Sequence, residues 1–256
     1  MFAVRNQDKK ISHPGGFFYK ILSLISGGLN MTNIEYIKKS VSELLKNNSN
    51  GHDDKHVFRV YDIAMKFCDE IPSANRDLVA VAALLHDCDD YKLFGEESAR
   101  LLTNTRQILS SSGYDDEFIK ECINIVKTIG YNKRLAGIQV HNIEGAIVSD
   151  ADMCDASGAI GIIRCIEFGR QYKTKFFDSK CLPTDLDIDK YKNINNQSPS
   201  VNHFFDKLLR LRDMCLTNPG RKYANKKHQV LVNFLDIYFN EVNAPQIWHD
   251  LLSQYK

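Results

Sequence analysis

The chain has 256 residues, 33 Lys and Arg against 32 Asp and Glu, a formal net charge of +1, and 43% apolar and 25% charged content. Such values describe a globular protein and exclude both a global basic field for nucleic acid and an acidic, disordered tail, so an anionic ligand must be attracted locally. Seven cysteines lacking any CxxC spacing read as reduced thiols rather than zinc ligands or a disulfide framework.

Residues 1–31 read as an N-terminal extension. Arg5, Lys9 and Lys10 precede the apolar run Phe17–Ile25, but Lys20 interrupts it and no small-residue cleavage site follows. The run is also short of the ~20 residues a membrane span requires. The expectation is a cytoplasmic protein with no membrane partner.

Thr32 caps a predicted helix to about Leu45, with Ile34, Ile37, Val41 and Leu44 at helical spacing, and the loop Asn47–Gly51 stops it. Asp53 or Asp54 starts a second helix through His56, Val60, Ile63, Ala64 and Phe67, which places His56 at the rim of a core. Pro72 ends it and Ser73 starts a third, whose apolar run Leu78–Leu85 leads into His86-Asp87. After a loop over Cys88–Gly95, helices are expected over Glu96–Leu109, Asp115–Ile129, Gly145–Asp155 and Gly158–Phe168. Gly158 and Gly161 read as close helix packing, since no strand precedes them as a phosphate loop requires. The polar segment Gln171–Pro199 reads as a long surface loop. Helices over Val201–Leu216 and Gly220–Glu241 follow, with a short one from Pro245 near Trp248. Strand-like alternation is nearly absent, so the fold class is all-α, a helical bundle.

His-Asp alone is a weak signal, because it also occurs at 52–53 and 249–250. The pair at 86–87 gains meaning from His56 upstream and from Asp150-Ala-Asp152-Met-Cys-Asp155 downstream. Neutral imidazoles give directional nitrogen ligands, and carboxylates give the negative charge that suits Mg²⁺, Mn²⁺ or Fe. A cation so held lowers the pKa of water from ~15.7 to about 7 and polarises a phosphoryl oxygen. His56, His86, Asp87 and one acid from 150–155 are the right types for such a centre.

The order His…His-Asp…Asp on consecutive helices resembles the HD-domain metal-dependent phosphohydrolases. The stretches Gly51-His-Asp-Asp-Lys-His56-Val-Phe-Arg59-Val60, Ala83-Leu-Leu-His86-Asp87 and Val148-Ser-Asp150-Ala-Asp152-Met-Cys-Asp155, with His203-Phe-Phe-Asp-Lys207 and Thr217-Asn-Pro-Gly-Arg-Lys-Tyr-Ala224, are similar to its YedJ/YpgQ-like branch. The resemblance covers roughly residues 32–242 and leaves 243–256 as a C-terminal helical tail. It implies His56, His86 and Asp87 as metal ligands. The Ala-Asp pair selects Asp152 over Asp150 as the last one, with Asp150 and Asp155 on other faces of the helix in capping or salt-bridging roles.

The resemblance also implies a divalent cofactor, Mn²⁺ or Mg²⁺ first and Fe, Co or Ni as substitutes. The substrate it implies is a nucleotide, with a triphosphate pyrophosphatase reaction giving a monophosphate and diphosphate. Lys92, Lys127, Arg164 and Lys207 are the candidate phosphate contacts, and Asp90 with Lys92 the candidate catalytic pair, because a carboxylate there can accept a proton from the attacking water. Arg59 reads as an internal salt-bridge partner, and His52 as a ligand-orienting residue or an exposed one. The chain departs from the branch at Cys88-Asp89-Asp90, where a turn such as Ile-Gly-Lys is usual, and at Met153, where a basic residue is usual. Rival readings are a 5′-nucleotidase or phosphodiesterase on the same fold, or a nucleotide-binding scaffold without turnover. The oligomeric expectation is a monomer or homodimer.

Overall fold

The computed structural model describes residues 32–46, 54–183 and 198–256, and every regular element among them is helical. No helix among them is long and apolar enough to cross a membrane. The readings of residues 1–31, His52 and Asp53, and much of the polar segment, 184–197, fall outside the described residues.

Helix α1 (Asn33–Leu45) starts as the sequence predicts: Thr32 and Glu35 form a reciprocal capping box that satisfies two backbone donors. Helix α2 (Asp54–Glu70) buries His56, Val57, Val60, Ile63, Ala64 and Phe67 along one face. The third helix, α3 (Arg76–Leu85), begins later than expected. Asn75 rather than Ser73 is its cap, its side chain accepting from the Leu78 amide at 3.2 Å. Every residue from Leu78 to Leu85 is buried. A helix apolar on all sides has to be covered on all sides, and α1, α2 and two later helices, α6 (Asp116–Val126) and α8 (Ile143–Asp155), surround it.

The segment read as a loop and one long helix holds α4 (Tyr91–Leu101), which is kinked at Gly95 (φ 82°) where the expected loop ends, and α5 (Thr103–Ser110), set off from it by Leu102 at φ 54°. The cause is Asp89. Its buried carboxylate accepts from the backbone amides of Asn104 and Thr105 and from the Ser98 hydroxyl, at 2.9, 2.9 and 2.6 Å, and so fixes a second helix start. A short helix α7 (Tyr131–Leu135) follows α6 where no helix is expected. Helix α9 (Gly158–Gln171) runs one turn beyond its predicted end.

The helix expected over Val201–Leu216 divides at Lys207, whose φ of −136° and ψ of −63° leave the helical region, into α10 (Ser200–Asp206) and a 3₁₀ turn over Leu208–Met214. Three residues per turn bring Leu208 and Leu211 onto one buried edge. Then come α11 (Asn218–Glu241) and α12 (Gln246–Ser253).

The buried apolar residues form two clusters. One is built around α3 and takes in α1, α2, α6 and α8; the other gathers Phe204, Phe205, Leu231, Leu235, Phe239 and Trp248 from α10, α11 and α12. Helix α8 serves both, sending Ile147, Val148, Ala151 and Cys154 into the first and Met153 into the second. Met153 is therefore apolar for a structural reason. Six cysteines are buried free thiols, and Cys181 is exposed.

Asp150 fastens α8 to the start of α11. Its carboxylate, 0% exposed, accepts from the amides of Leu216 and Thr217 at 2.8 and 2.7 Å and from the Thr217 hydroxyl at 2.7 Å. Thr217 in turn caps α11 through the Gly220 amide at 3.0 Å. Gly220 lies so close to Asp150 that an added Cβ would collide with the carboxylate.

Candidate metal centre

Two pairs of residues spaced i, i+3 build the heart of the site, because that spacing puts both members on one helix face. Helix α2 supplies His56 and Arg59, and α8 supplies Asp152 and Asp155. The two helices pack closely, so the pairs meet. His86 sits at the C-cap of α3, where the carbonyl-rich, negative end of the helix favours a cation, and Asp87 is the next residue.

Each imidazole is oriented by its own Nδ1. That of His86 donates to the Ala83 carbonyl at 2.8 Å, one of the carbonyls a helix end leaves unpaired. That of His56 lies 2.7 Å from the Asp155 carboxylate. With the proton placed on Nδ1 in both rings, both Nε2 lone pairs point into the same space, 3.4 Å apart. Asp87 Oδ2 is 3.4 Å from the His56 Nε2 and 3.6 Å from that of His86, and Asp152 Oδ1 is 3.6 and 3.9 Å from them.

These separations exceed good hydrogen bonds. They match ligands that share one centre: donors ~2.1 Å from an ion are ~3.0 Å apart at right angles and ~3.4 Å apart in a tetrahedron. His56, His86 and Asp152 close on one another within 4.8 Å and form a group that could hold a metal ion, and Asp87 meets the same two nitrogens. The donor set fits a divalent cation.

The electrostatics favour positive charge between the rings. Burial opposes a charged His56, but the carboxylates of Asp155 and Asp87 outweigh it and raise its pKa to about 9. Burial would push the Asp155 carboxyl up, yet His56 and Arg59 hold it well below the usual carboxylate range. Arg59 grips Asp155 with two bonds, Nε to Oδ1 at 2.8 Å and Nη2 to Oδ2 at 2.9 Å. Arg164 Nη1 approaches Oδ2 at 3.7 Å.

The other residues singled out by sequence sort as follows. Asp150 is committed to the α11 junction. Asp155 does not lie on another face of α8: three residues are 300° of helix, which leaves it beside Asp152 in contact with His56, although the expected salt bridge is present. Asp90 caps α4, its Oδ1 accepting the Lys92 amide at 2.9 Å. Burial, and then the positive charges of Lys207, Lys92 and Arg164 from separate parts of the chain, depress the pKa of His203 to about 3. Lys207 Nζ also lies 4.7 Å from the centre of the Tyr131 ring. Lys127 is exposed at the C-cap of α6, and its ammonium makes no ion pair among the described residues. His203, which the sequence offers only within the stretch shared with the branch, thus sits in the positive field of Lys92, Arg164 and Lys207. The His203…Lys207 spacing was the available signal.

The family model described as the HD domain matches residues 53–157, a span that includes His56, His86, Asp87, Asp152 and Asp155. YpgQ of Bacillus subtilis is 31% identical over 203 residues, covering 78% of this chain and 89% of its own. A crystal structure of an HD-superfamily hydrolase from Bacillus thuringiensis superposes with a TM-score of 0.64 at 30% identity, over 83% of this chain and 97% of that one. The chain belongs to the HD-superfamily hydrolases. A crystal structure of Bacillus subtilis YpgQ in complex with ADP has a TM-score of 0.62 at 28% identity, covering 82% of this chain and 97% of YpgQ. As an HD hydrolase the chain is an enzyme of an all-helical family, with a residue group suited to a divalent metal at its centre.

Proposed function

We propose that this HD hydrolase is a Mn²⁺- or Mg²⁺-dependent nucleotide phosphohydrolase, and that its reaction is the hydrolysis of a nucleoside triphosphate to monophosphate and diphosphate. The observation that carries the reading is the meeting of the two Nε2 atoms at 3.4 Å with carboxylates from Asp87 and Asp152 around them. The ADP complex of YpgQ supports a nucleotide as ligand. The cations gathered around His203 supply the local positive charge that a chain of net charge +1 needs for a polyphosphate.

His56, His86, Asp87 and Asp152 would hold the cation. When bound, a divalent ion lowers the pKa of water and polarises the phosphoryl oxygen. Lys92, Arg164 and Lys207 bind the β and γ phosphates and offset the charge that builds on the departing diphosphate. Asp90 takes the proton of the attacking water. One water is consumed at the α-phosphorus, the bond to the bridging oxygen breaks, and diphosphate leaves with that oxygen. The site works inside the cell, on free nucleotides rather than on nucleic acid.

The test is a metal-by-nucleotide screen with products identified by ³¹P NMR. Equimolar monophosphate and diphosphate support the reading. Orthophosphate from a monophosphate makes the enzyme a nucleotidase, and a ring-opened monophosphate from a cyclic nucleotide makes it a phosphodiesterase.

A further inference from the structure

Beside the ligand group lies a charge cluster centred on one buried carboxylate, that of Asp155. Asp155 is 0% exposed and receives three groups: His56 Nδ1 at 2.7 Å, the two-pronged Arg59 guanidinium at 2.8 and 2.9 Å, and Arg164 Nη1 at 3.7 Å. A buried carboxylate is strongly disfavoured unless paired and hydrogen-bonded. Arg59, on the same face of α2 as His56, supplies that pairing. The expense of keeping the Asp155 carboxylate out of water invites a function beyond holding α2 to α8, since apolar residues could pack the same two helices.

We infer that Asp155 is a positioning residue for the proposed metal centre: it fixes the ring orientation and tautomer of His56, while Arg59 sets how much of its charge His56 feels. The inference rests on the reading of His56 as a ligand. An imidazole whose Nδ1–H is held by a carboxylate presents only Nε2 as a lone pair and is the more basic for it. Here the carboxylate is shared. Two of its contacts are with a guanidinium that draws charge away from the ring, so the two partners of Asp155 pull in opposite directions on His56. Removing the carboxylate weakens the ligand; removing the guanidinium strengthens it. A pair that served only to pack α2 against α8 would show no such opposition, because either loss would loosen the same contact.

The experiment compares Asp155→Asn, Arg59→Gln and Arg59→Lys with wild type by Mn²⁺ titration and by ¹⁵N NMR of the His56 ring in metal-free protein above its pKa of about 9, where the ring is neutral. Asp155→Asn is expected to weaken Mn²⁺ binding by ~10–100-fold and to move His56 from the Nδ1–H tautomer toward a mixture. Arg59→Gln is expected to lower thermal stability yet leave Mn²⁺ affinity equal to or tighter than wild type. Should Arg59→Gln not fold, Arg59→Lys keeps the charge with one contact fewer and is expected to bind Mn²⁺ no more weakly than wild type. Wild-type Mn²⁺ affinity and an unchanged tautomer in Asp155→Asn would overturn the inference, as would parallel losses of affinity in the Asp155 and Arg59 variants. Absence of Mn²⁺ binding by wild type would instead overturn the metal reading, and the tautomer, which needs no cation, still decides the hold of Asp155 on His56.

Discussion

His56 and His86 turn the same nitrogen toward each other, Nε2 to Nε2 at 3.4 Å, with each Nδ1 already occupied by a different kind of acceptor. Two lone pairs so close repel unless a proton or a metal ion lies between them, and the carboxylates of Asp87 and Asp152 beside them favour the doubly charged ion. Chelation should therefore abolish hydrolysis and lower the melting temperature, and Mn²⁺ should restore both. At a free ion concentration one hundred times the dissociation constant, the recovered stability is about 2.7 kcal/mol. An unchanged melting curve in EDTA, measured beside a Mn²⁺-loaded sample, would count against a cation at this place.

Asp150 and Asp152 are one residue apart, yet their substitutions should separate activity from stability. Asp152→Asn is expected to cut turnover by ~100-fold with little change in urea midpoint, since Asp152 is part-exposed and its carboxylate faces the two imidazoles rather than a helix junction. Asp150→Ala strands the Leu216 and Thr217 amides and the Thr217 hydroxyl, and is expected to cost roughly 2–4 kcal/mol. Kinetics and urea unfolding on both variants check this. The reverse assignment predicts the opposite pattern.

His203 gives the pH dependence a definite sign. Its pKa is pushed from 6.5 to about 3 in the folded protein by burial and by Lys207, Lys92 and Arg164. Between these values the unfolded chain binds the extra proton, so stability contributed here is full above pH 6.5 and falls as pH drops toward 3. Replacing His203 by Gln should flatten that part of the acid limb in chemical denaturation at stepped pH. Diphosphate bound among the three cations should raise the His203 pKa, readable from its ring proton shift.

Gly220 inverts a common rule. Glycine to alanine in a helix ordinarily stabilises by ~0.5–1 kcal/mol. The first turn of α11 lies against the Asp150 carboxylate, which is tied by three hydrogen bonds and has no room to withdraw. Gly220→Ala should therefore destabilise by ~1–3 kcal/mol in thermal or urea melts. A stabilised Gly220→Ala would mean that the α8–α11 junction yields more easily than its bonding implies.

The parts of this fold that sequence reveals are the ones governed by neighbours along the chain. Thr32 with Glu35, Asp115 before α6 and the apolar run Leu78–Leu85 each declare a helix start or a buried helix by local chemistry. The break at Leu102 is invisible locally, because Asp89 imposes it from the preceding turn. The division of Val201–Leu216 is hidden for a similar reason: its apolar residues suit either helical period, and burial of Leu208 and Leu211 selects the tighter one. In the site, His56, His86, Asp87 and Asp152 come together as the order of motifs implies. The place of Asp155 was within reach of helix geometry alone, since a step of three returns nearly to the same face. The grouping of Lys92, Arg164 and Lys207 was not, because it depends on how three separate elements pack.

Helix α8 contributes to both apolar clusters and is latched by Asp150 to a segment some sixty-six residues further on. The span matched by the HD family model, ending at residue 157, is thus not by itself a unit of folding. A fragment cut there would turn Met153 out to solvent and strip Asp150 of the three donors that hold it.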